Sequence, residues 1–415
     1  MINNIDIMAP VGSYESLHAA IQASAGSVYF GVGRLNMRAK SSTNFSLEDL
    51  KNIADICSAN NVKTYLTANT VMYDDDLAEM REILDTAKQA NINAVIASDI
   101  SVLEYANQIG LEAHISTQVN VSNLEAVRFY SRFADVIVLA RELNLKQVKS
   151  ICTSIKKEHI TGPTGNLIQI EIFIHGALCM AISGKCYMSL HENNRSANRG
   201  ACLQNCRRSY TVRESDSDWE MEIDNEYIMS PKDLCTIGFL DKIIDAGATV
   251  LKIEGRGRAA DYVKKTVEVY SSAVKAYYEG NFTEENIAQW KTQLATVFNR
   301  GFWDGYYLGQ RLGEWNDRYG SQATKTKIQI GKVTNYFSKV GAAEIAIQSG
   351  ELRLGDEIMF TGPTTGVVQM PVTEIRYNEE CVETAEKGWT ISMPVTEKLR
   401  RSDKLYKIVD SEFAD

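Results

Sequence analysis

From residue 5 onward, short apolar runs alternate with helix-length amphipathic segments. The runs Ile5–Pro10, Ser27–Val32, Val62–Asn69, Ala94–Asp99, Ala113–Val119, Asp135–Ala140, Ile168–Ile174 and Thr249–Glu254 are rich in Val and Ile and mostly free of charge. That is the pattern of parallel strands buried on both faces. Between them lie helix patterns such as SYESLHAAIQAS, SLEDLKNIADICSANN and DDDLAEMREILDTAKQAN, several opening on an N-cap residue, as Ser46 does. Eight strands, each followed by a helix, predict a (β/α)8 TIM-like barrel. No Gly-rich dinucleotide fingerprint follows the first strand, which argues against an open doubly wound sheet. In such a barrel the site forms at the C-terminal ends of the strands.

After the last long helix pattern, DYVKKTVEVYSSAVKAYYEG, the period breaks. The segment Asn299–Arg318 mixes Gly with aromatics and reads as a linker or docking arm. Beyond it, IQIGKVTNYF, AAEIAIQSG, GDEIMFTG and GWTISMPV are short runs punctuated by Gly350, Gly355 and Gly362 at near-hairpin spacing. They predict a small all-β barrel of five to seven strands. The expected organisation is a catalytic barrel over 1–298 with an insertion at about 178–229, an arm over 299–326, and the β domain over 327–415. The sequence of the β domain shows no stripe of Lys and Arg, which leaves its role open.

Composition narrows the setting. With 44% hydrophobic residues in 415, the chain can bury a sizeable core. The N-terminus MINNIDIMAPVG lacks the charged and apolar regions of a secretory signal, and no apolar run reaches the roughly 18 residues of a membrane span. A cytoplasmic location is expected, where structural disulfides are rare. The net charge of -9 argues against non-specific coating of nucleic acid but leaves room for a local basic site.

The chemistry concentrates just after the seventh strand run, on the expected catalytic face. Cys179, Cys186, Cys202 and Cys206, four of the eight cysteines, lie within 28 residues, separated by six, fifteen and three. Gly184 and Gly200 stand beside them, as loops wrapping a compact iron–sulfur core require. Structural zinc takes four thiolates too, typically from two short knuckles, and only Cys202 and Cys206 are that close. Cys235, in SPKDLC, is a fifth candidate. Cys57, Cys152 and Cys381 read as small buried hydrophobes. Peptidase chemistry finds little support: HExxH and GxSxG are absent. His175 can serve a Cys179 nucleophile, but nothing then explains three further thiols beside it.

The run Glu171-x-Phe173-x-His175-Gly176-Ala177-Leu178-Cys179, followed by Ser183-Gly184-x-Cys186-x-x-Ser189, resembles the signature of the collagenase-like family called peptidase U-32. The resemblance extends through APVGSYESLHAAI, SVYFG, RSANRGACLQNCRRSY, MSPKDLC, KIEGR and NRGF-x-x-GYYLG, nearly the whole chain. It implies an oxygen-independent hydroxylase carrying a [4Fe–4S] cluster. The length and the added β domain are most similar to members that place a 5-hydroxyl on the wobble uridine of tRNA with prephenate as co-substrate. Other members imply ribosomal or other RNA, and the family's name implies a peptidase. The resemblance assigns Cys179, Cys186, Cys202 and Cys206 as cluster ligands, with Cys235 the alternative to Cys206 as the fourth.

Around these thiols the sequence offers further candidates. His175 is read either as packing at a strand end or as a catalytic group transferring protons beside the cluster. Glu254 and Arg256, at the end of the eighth strand run, are expected at the barrel mouth as catalytic residues, Arg256 as a bidentate carboxylate clamp. Asn36, Arg38, Asn69, Gln118 and Arg141 follow strand runs two, two, three, five and six. Together they form a polar ring suited to a dicarboxylate such as prephenate, with Arg38, Arg141 and Arg256 as anion partners. Arg195, Arg199, Arg207 and Arg208 read either as a solvated loop or as an RNA phosphate patch. Tyr187 and Tyr210 can stack on an unpaired base.

Overall fold

The computed structural model describes residues 5–40, 44–211, 227–309 and 313–413. Its first unit is a closed parallel barrel. β1 (Asp6–Pro10), β2 (Ser27–Gly31), β3 (Lys63–Ala68), β4 (Ala94–Ala97), β5 (Glu112–Ile115), β6 (Val136–Val138) and β7 (Gln169–Gly176) pair in sequence order. β8 (Asp233–Cys235) lies outside that circuit, antiparallel to the end of β7. The circuit closes on β9 (Val250–Ile253), which is parallel to both β1 and β7. A two-residue β10 (Phe302–Trp303) pairs with β8. The eight predicted strand runs are the eight barrel strands, and β8 and β10 are additions at its rim.

The helices α1 (Tyr14–Gln22), α2 (Asp49–Ala59), α3 (Leu77–Gln89), α4 (Ile100–Gln108), α5 (Leu124–Tyr130), α6 (Leu145–Glu158), α8 (Leu240–Ala246), α9 (Ala260–Tyr278) and α10 (Glu284–Ala295) belong to this unit. The short α7 (Met188–Asn193) sits in the cysteine-rich insertion between β7 and β8. Apolar stripes account for the packing: Leu50, Ile53, Ala54 and Cys57 are the buried positions of α2, at i, i+3, i+4 and i+7. Side-chain caps fix the starts, with Asp99 accepting from Ser101 N before α4 and Asn144 in a capping box before α6. Of the expected insertion at about 178–229, residues 212–226 lie outside the described residues.

Part of the segment expected as an arm packs against the barrel, and residues 310–312 of it lie outside the described residues. Tyr307 is buried, its hydroxyl donating to Phe173 O at 2.7 Å, and its carbonyl accepts from Leu145 N at the start of α6.

The C-terminal part is antiparallel throughout: β11 (Lys325–Phe337), β12 (Ala342–Ile347), β13 (Glu351–Arg353), β14 (Glu357–Gly362), β15 (Gly366–Pro371), β16 (Arg376–Tyr377), β17 (Glu380–Cys381), β18 (Thr384–Glu386), β19 (Thr390–Pro394) and β20 (Lys404–Asp410). Eight of these form one sheet in the order β15-β14-β20-β11-β12-β19-β16-β17, and β13 pairs with β18. The expectation of five to seven strands is corrected to ten, because two- and three-residue strands are too short to show an alternating pattern. Ile345, Phe360, Ile375 and Leu405 sit in a core separate from the barrel's.

Candidate functional site

The barrel mouth holds a cavity of about 250 Å³. Its walls come from strand ends and the loops after them: Tyr29 from β2, Thr67 and Asn69 around the end of β3, Ser116 and Gln118 after β5, Arg141 after β6, Phe173 from β7, and Lys252, Glu254 and Arg256 along and after β9. The insertion closes over them. Cys179, Cys186, Cys202 and Cys206 all line this one cavity. None of the four is in a disulfide. Burial pushes the Cys206 thiol up to about 11 against the pull of Arg207, with Cys179, Cys202 and Cys186 close enough to add to the shift. Burial also raises Cys186, again with Cys179 and Cys202 adding to it.

Cys235 goes elsewhere. It is buried in β8 opposite His175, with the Tyr270 hydroxyl 3.9 Å from its sulfur, and it is not on the cavity wall. Cys206, and not Cys235, therefore shares the cavity wall with Cys179, Cys186 and Cys202. Among the described residues no three Cys, His, Asp or Glu groups stand close enough to hold a single metal ion. A cuboidal cluster asks for something different, one thiolate at each corner iron and hence wider spacing. Four unbridged thiols around one cavity are a donor set that fits it.

Charge sets the character of the rest of the wall. Arg38, Arg141, Arg207, Lys252, Arg256, Arg258 and Arg300 line the cavity, and Glu254 is the one carboxylate among its described residues. Glu254 accepts from Arg38 Nη2 at 2.6 Å. Burial alone would raise its carboxyl, but Arg38, Arg141 and Arg256 outweigh it and hold the group at about 2. Arg256 is 5% exposed and donates to Thr67 Oγ1 at 2.7 Å and Asn36 Oδ1 at 3.1 Å. Burial lowers it to about 10, still charged at neutral pH. Arg141 lies 3.9 Å over the Phe173 ring, donates to Ala177 O, and keeps its buried Nε without a hydrogen-bond partner. An unsatisfied guanidinium nitrogen and the excess of cations over carboxylates on the wall suit the cavity to an anion.

Several predicted residues have other work. Asn36 is fully buried behind the wall, where its side-chain oxygen receives Arg256 and the backbone N of Arg38. It positions two arginines and does not line the cavity. His175 is likewise corrected: it is 1% exposed and off the cavity wall, enclosed by the rings of Tyr262, Tyr270 and Phe302. Burial, with Arg258 nearby, drops its imidazole to about 3, so it is a neutral packing group. Asn69 and Gln118 do reach the cavity, Asn69 donating to Gln118 Oε1 at 3.4 Å and to Ser116 Oγ at 3.3 Å.

The expected arginine patch separates in the same way. Arg207 is a buried strut that donates to Leu178 O at 2.6 Å, to Ser230 Oγ at 3.0 Å and to Pro231 O. Arg199 is clamped by Asp76 and Val71 O and lies 4.1 Å over the Tyr73 ring. Arg207 is thus buried away from the expected patch, and Arg199 is held against the barrel by these contacts. Arg195 and Arg208 are exposed, Arg208 with a 3.6 Å contact to Glu192. Tyr187 is 72% exposed, whereas the Tyr210 hydroxyl donates to Asn205 O.

The sequence reading missed the cavity floor. Lys252 reaches it from β9, its Nζ 2.7 Å from Glu171 Oε1 and 4.4 Å from the Tyr29 ring centre. Glu171 is fully buried, and its second oxygen stands 4.0 Å from Nδ1 of the buried His114. The signal was present: a Lys in VLKI and a Glu in EIFI interrupt strands that must be buried on both faces.

Fold and site together define a (β/α)8 barrel protein with a thiol-lined, cation-rich cavity at its C-terminal face. The chain belongs to peptidase family U32, whose family model matches residues 12–317. It is 61% identical over 99% of both chains to a Porphyromonas gingivalis protein named collagenase. It is 31% identical to the tRNA hydroxylation protein P1 of Bacillus subtilis, over 86% of this chain and 83% of that one. With the 23S rRNA 5-hydroxycytidine C2501 synthase of Escherichia coli it shares 32% identity, over 75% of this chain and 46% of that enzyme.

Proposed function

We propose that this protein is an RNA hydroxylase that installs the 5-hydroxyl of the tRNA wobble uridine, with a [4Fe–4S] cluster on Cys179, Cys186, Cys202 and Cys206 and prephenate as co-substrate. The observation that carries the reading is the joining of four unbridged thiols and a surplus of arginines in one cavity. Relatives named for tRNA and rRNA hydroxylation support an RNA substrate. A bound cluster would supply a redox-active or Lewis-acidic iron at the cavity wall. The chain's own residues would do the rest. Arg141 and Arg256 bind the two carboxylates of the co-substrate, Arg38 is held in place by Glu254, and Lys252 fixes a positive charge at the floor. A wobble base, partly unstacked at the outset, enters from the open side with less unstacking to overcome than a helical base.

A second reading, peptidase action, is favoured by the name of the 61% identical relative. No His, the usual partner of a cysteine nucleophile, lies among the described residues of the cavity wall. Deleting the gene and analysing tRNA nucleosides by mass spectrometry separates the two readings. The expected result is loss of 5-hydroxyuridine-type nucleosides, restored by the wild-type gene and not by Cys179→Ala. Unchanged nucleosides in a strain without a redundant enzyme, together with gelatin cleavage that survives iron chelation, would overturn the hydroxylase and establish the peptidase.

A further inference from the structure

One surface outside the cavity is unlike the rest of this acidic chain. On the C-terminal sheet, Lys332 of β11 and Lys404 of β20 are register partners, and both are exposed. Like charges directly opposite each other on a strand pair are destabilising. Immediately before β20, the turn carries exposed Lys398, Arg400 and Arg401. None of these five cations is in an ion pair among the described residues, although 22 such pairs involve other groups. The cluster therefore gathers five cations, with Glu397 beside Lys398 in sequence and Glu344 on the groove wall, in a chain whose net charge is -9.

The turn is built to hold that charge outward. Leu399 is buried at 1% exposure and anchors it in the β core. Asp403, at the end of the turn, points inward: it is 1% exposed and accepts from Thr365 Oγ1 at 2.5 Å and Arg400 N at 2.7 Å. Ser402 takes a left-handed φ of 75°, and two bonds tie the turn to β11: Ser402 N donates to Val333 O at 2.9 Å, and Val333 N donates to Asp403 O at 2.8 Å. Between the turn and the β11–β12 hairpin runs a groove of about 690 Å³ whose lining includes Lys398, Arg400, Arg401, the half-buried Tyr336 and Glu344.

We infer that this groove docks the phosphate backbone of the RNA substrate, at a distance from the cavity. The inference rests on the RNA reading above and adds the surface that grips the molecule. An arginine-bearing groove suits a phosphate backbone, which several guanidinium groups can grip at once. Its place on the molecule fits a substrate larger than the reacting loop. Lys327 meets Asp261 in the first turn of α9 at 2.6 Å, and Lys332 is five residues further along β11, about 17 Å at roughly 3.3 Å per residue. A partner that engages both the barrel rim and this surface has to span a distance of this order.

The test is salt-dependent binding of unmodified tRNA to the full chain, by fluorescence anisotropy. Wild type is compared with K398A/R400A/R401A and with K149A/K156A/K157A, which removes equal charge from the exposed face of α6. The groove variant should bind at least about tenfold more weakly near 0.1 M salt, with a slope of log Kd against log salt smaller by about two, while the α6 variant stays like wild type. Groove and wild-type curves that coincide would overturn the docking surface and leave the hydroxylase reading standing. Wild type that binds no tRNA would overturn both. Wild-type binding to anionic lipid vesicles, lost in the groove variant while tRNA binding is kept, would reassign the groove to a membrane surface.

Discussion

At the scale of single residues, the most consequential pair is Glu171 and Lys252. A carboxylate with no exposure and an ammonium with 6% side-chain exposure sit inside a barrel that is normally filled by branched apolar side chains. Each ion tolerates burial because the other is 2.7 Å away and because Tyr29 turns its ring face to the ammonium. Removing one partner strands the other. Glu171→Gln should therefore cost about 3–5 kcal/mol in urea unfolding. The double variant E171L/K252M should recover most of that loss, because an apolar pair of similar volume needs no compensation. It should nonetheless bind small dicarboxylates more weakly by calorimetry, since the floor of the cavity has lost its fixed cation. A double variant as unstable as the single one would show that the pair is not the source of the cost.

At the scale of elements, the described residues of the insertion that carries the thiols have little regular structure, and specific ties hold them over the mouth. Gly200 sits with φ at +77°, and a Cβ there would meet Asn36 O at 2.4 Å, so only glycine lets the loop approach. Arg199 then crosses to Asp76 and Val71 O at the start of the β3–α3 connection. The Asp76 carboxyl, 2% exposed, is drawn well below its ordinary value by the hydrogen bond from Arg199, with Arg34 adding to it. Its contribution to stability is accordingly full above the ordinary carboxylate range and is lost only as pH falls through the lowered value. Arg199→Ala should cost about 1.5–3 kcal/mol near neutral pH, the range of a hydrogen bond to a charged group. It should also open residues 180–205 to limited proteolysis while the barrel stays intact. Equal proteolysis of variant and wild type would remove Arg199 from this role. The sequence showed the thiols of this loop because cysteines are chemically distinct wherever they stand. It could not show that Arg199 and Arg207 are struts while Arg195 and Arg208 are exposed, because all four lie in one basic, aperiodic stretch and only the partners Asp76, Leu178 O and Pro231 O tell them apart.

For the whole molecule, the barrel was legible because its strands repeat one signal eight times, each run apolar on both faces and each followed by an amphipathic helix. The C-terminal sheet was legible in kind but not in strand number, and its attachment to the barrel was not legible at all. That attachment is small and specific. Ala19 of α1 and Ala260 of α9 meet Met359 and Val367 in a minor apolar cluster. Gln22, the last residue of α1, behaves like one more strand position: its Nε2 donates to Thr365 O at 2.9 Å and its Oε1 accepts from Val367 N at 3.0 Å. Lys264 adds a bond to Val367 O, and Lys327 pairs with Asp261. No pattern of hydrophobicity reports a glutamine chosen to cap the start of a distant strand. If these contacts fix the groove relative to the cavity, loosening them should separate the two units thermally before it unfolds either. Gln22→Ala leaves a backbone carbonyl and amide without their partner, at about 1–3 kcal/mol each where water stays excluded. Combined with Val367→Asp, which places a charge in the apolar cluster, it should split a single calorimetric transition into two and weaken tRNA binding through loss of simultaneous engagement. Retention of one transition in the double variant would mean that the two units are coupled by more than this contact.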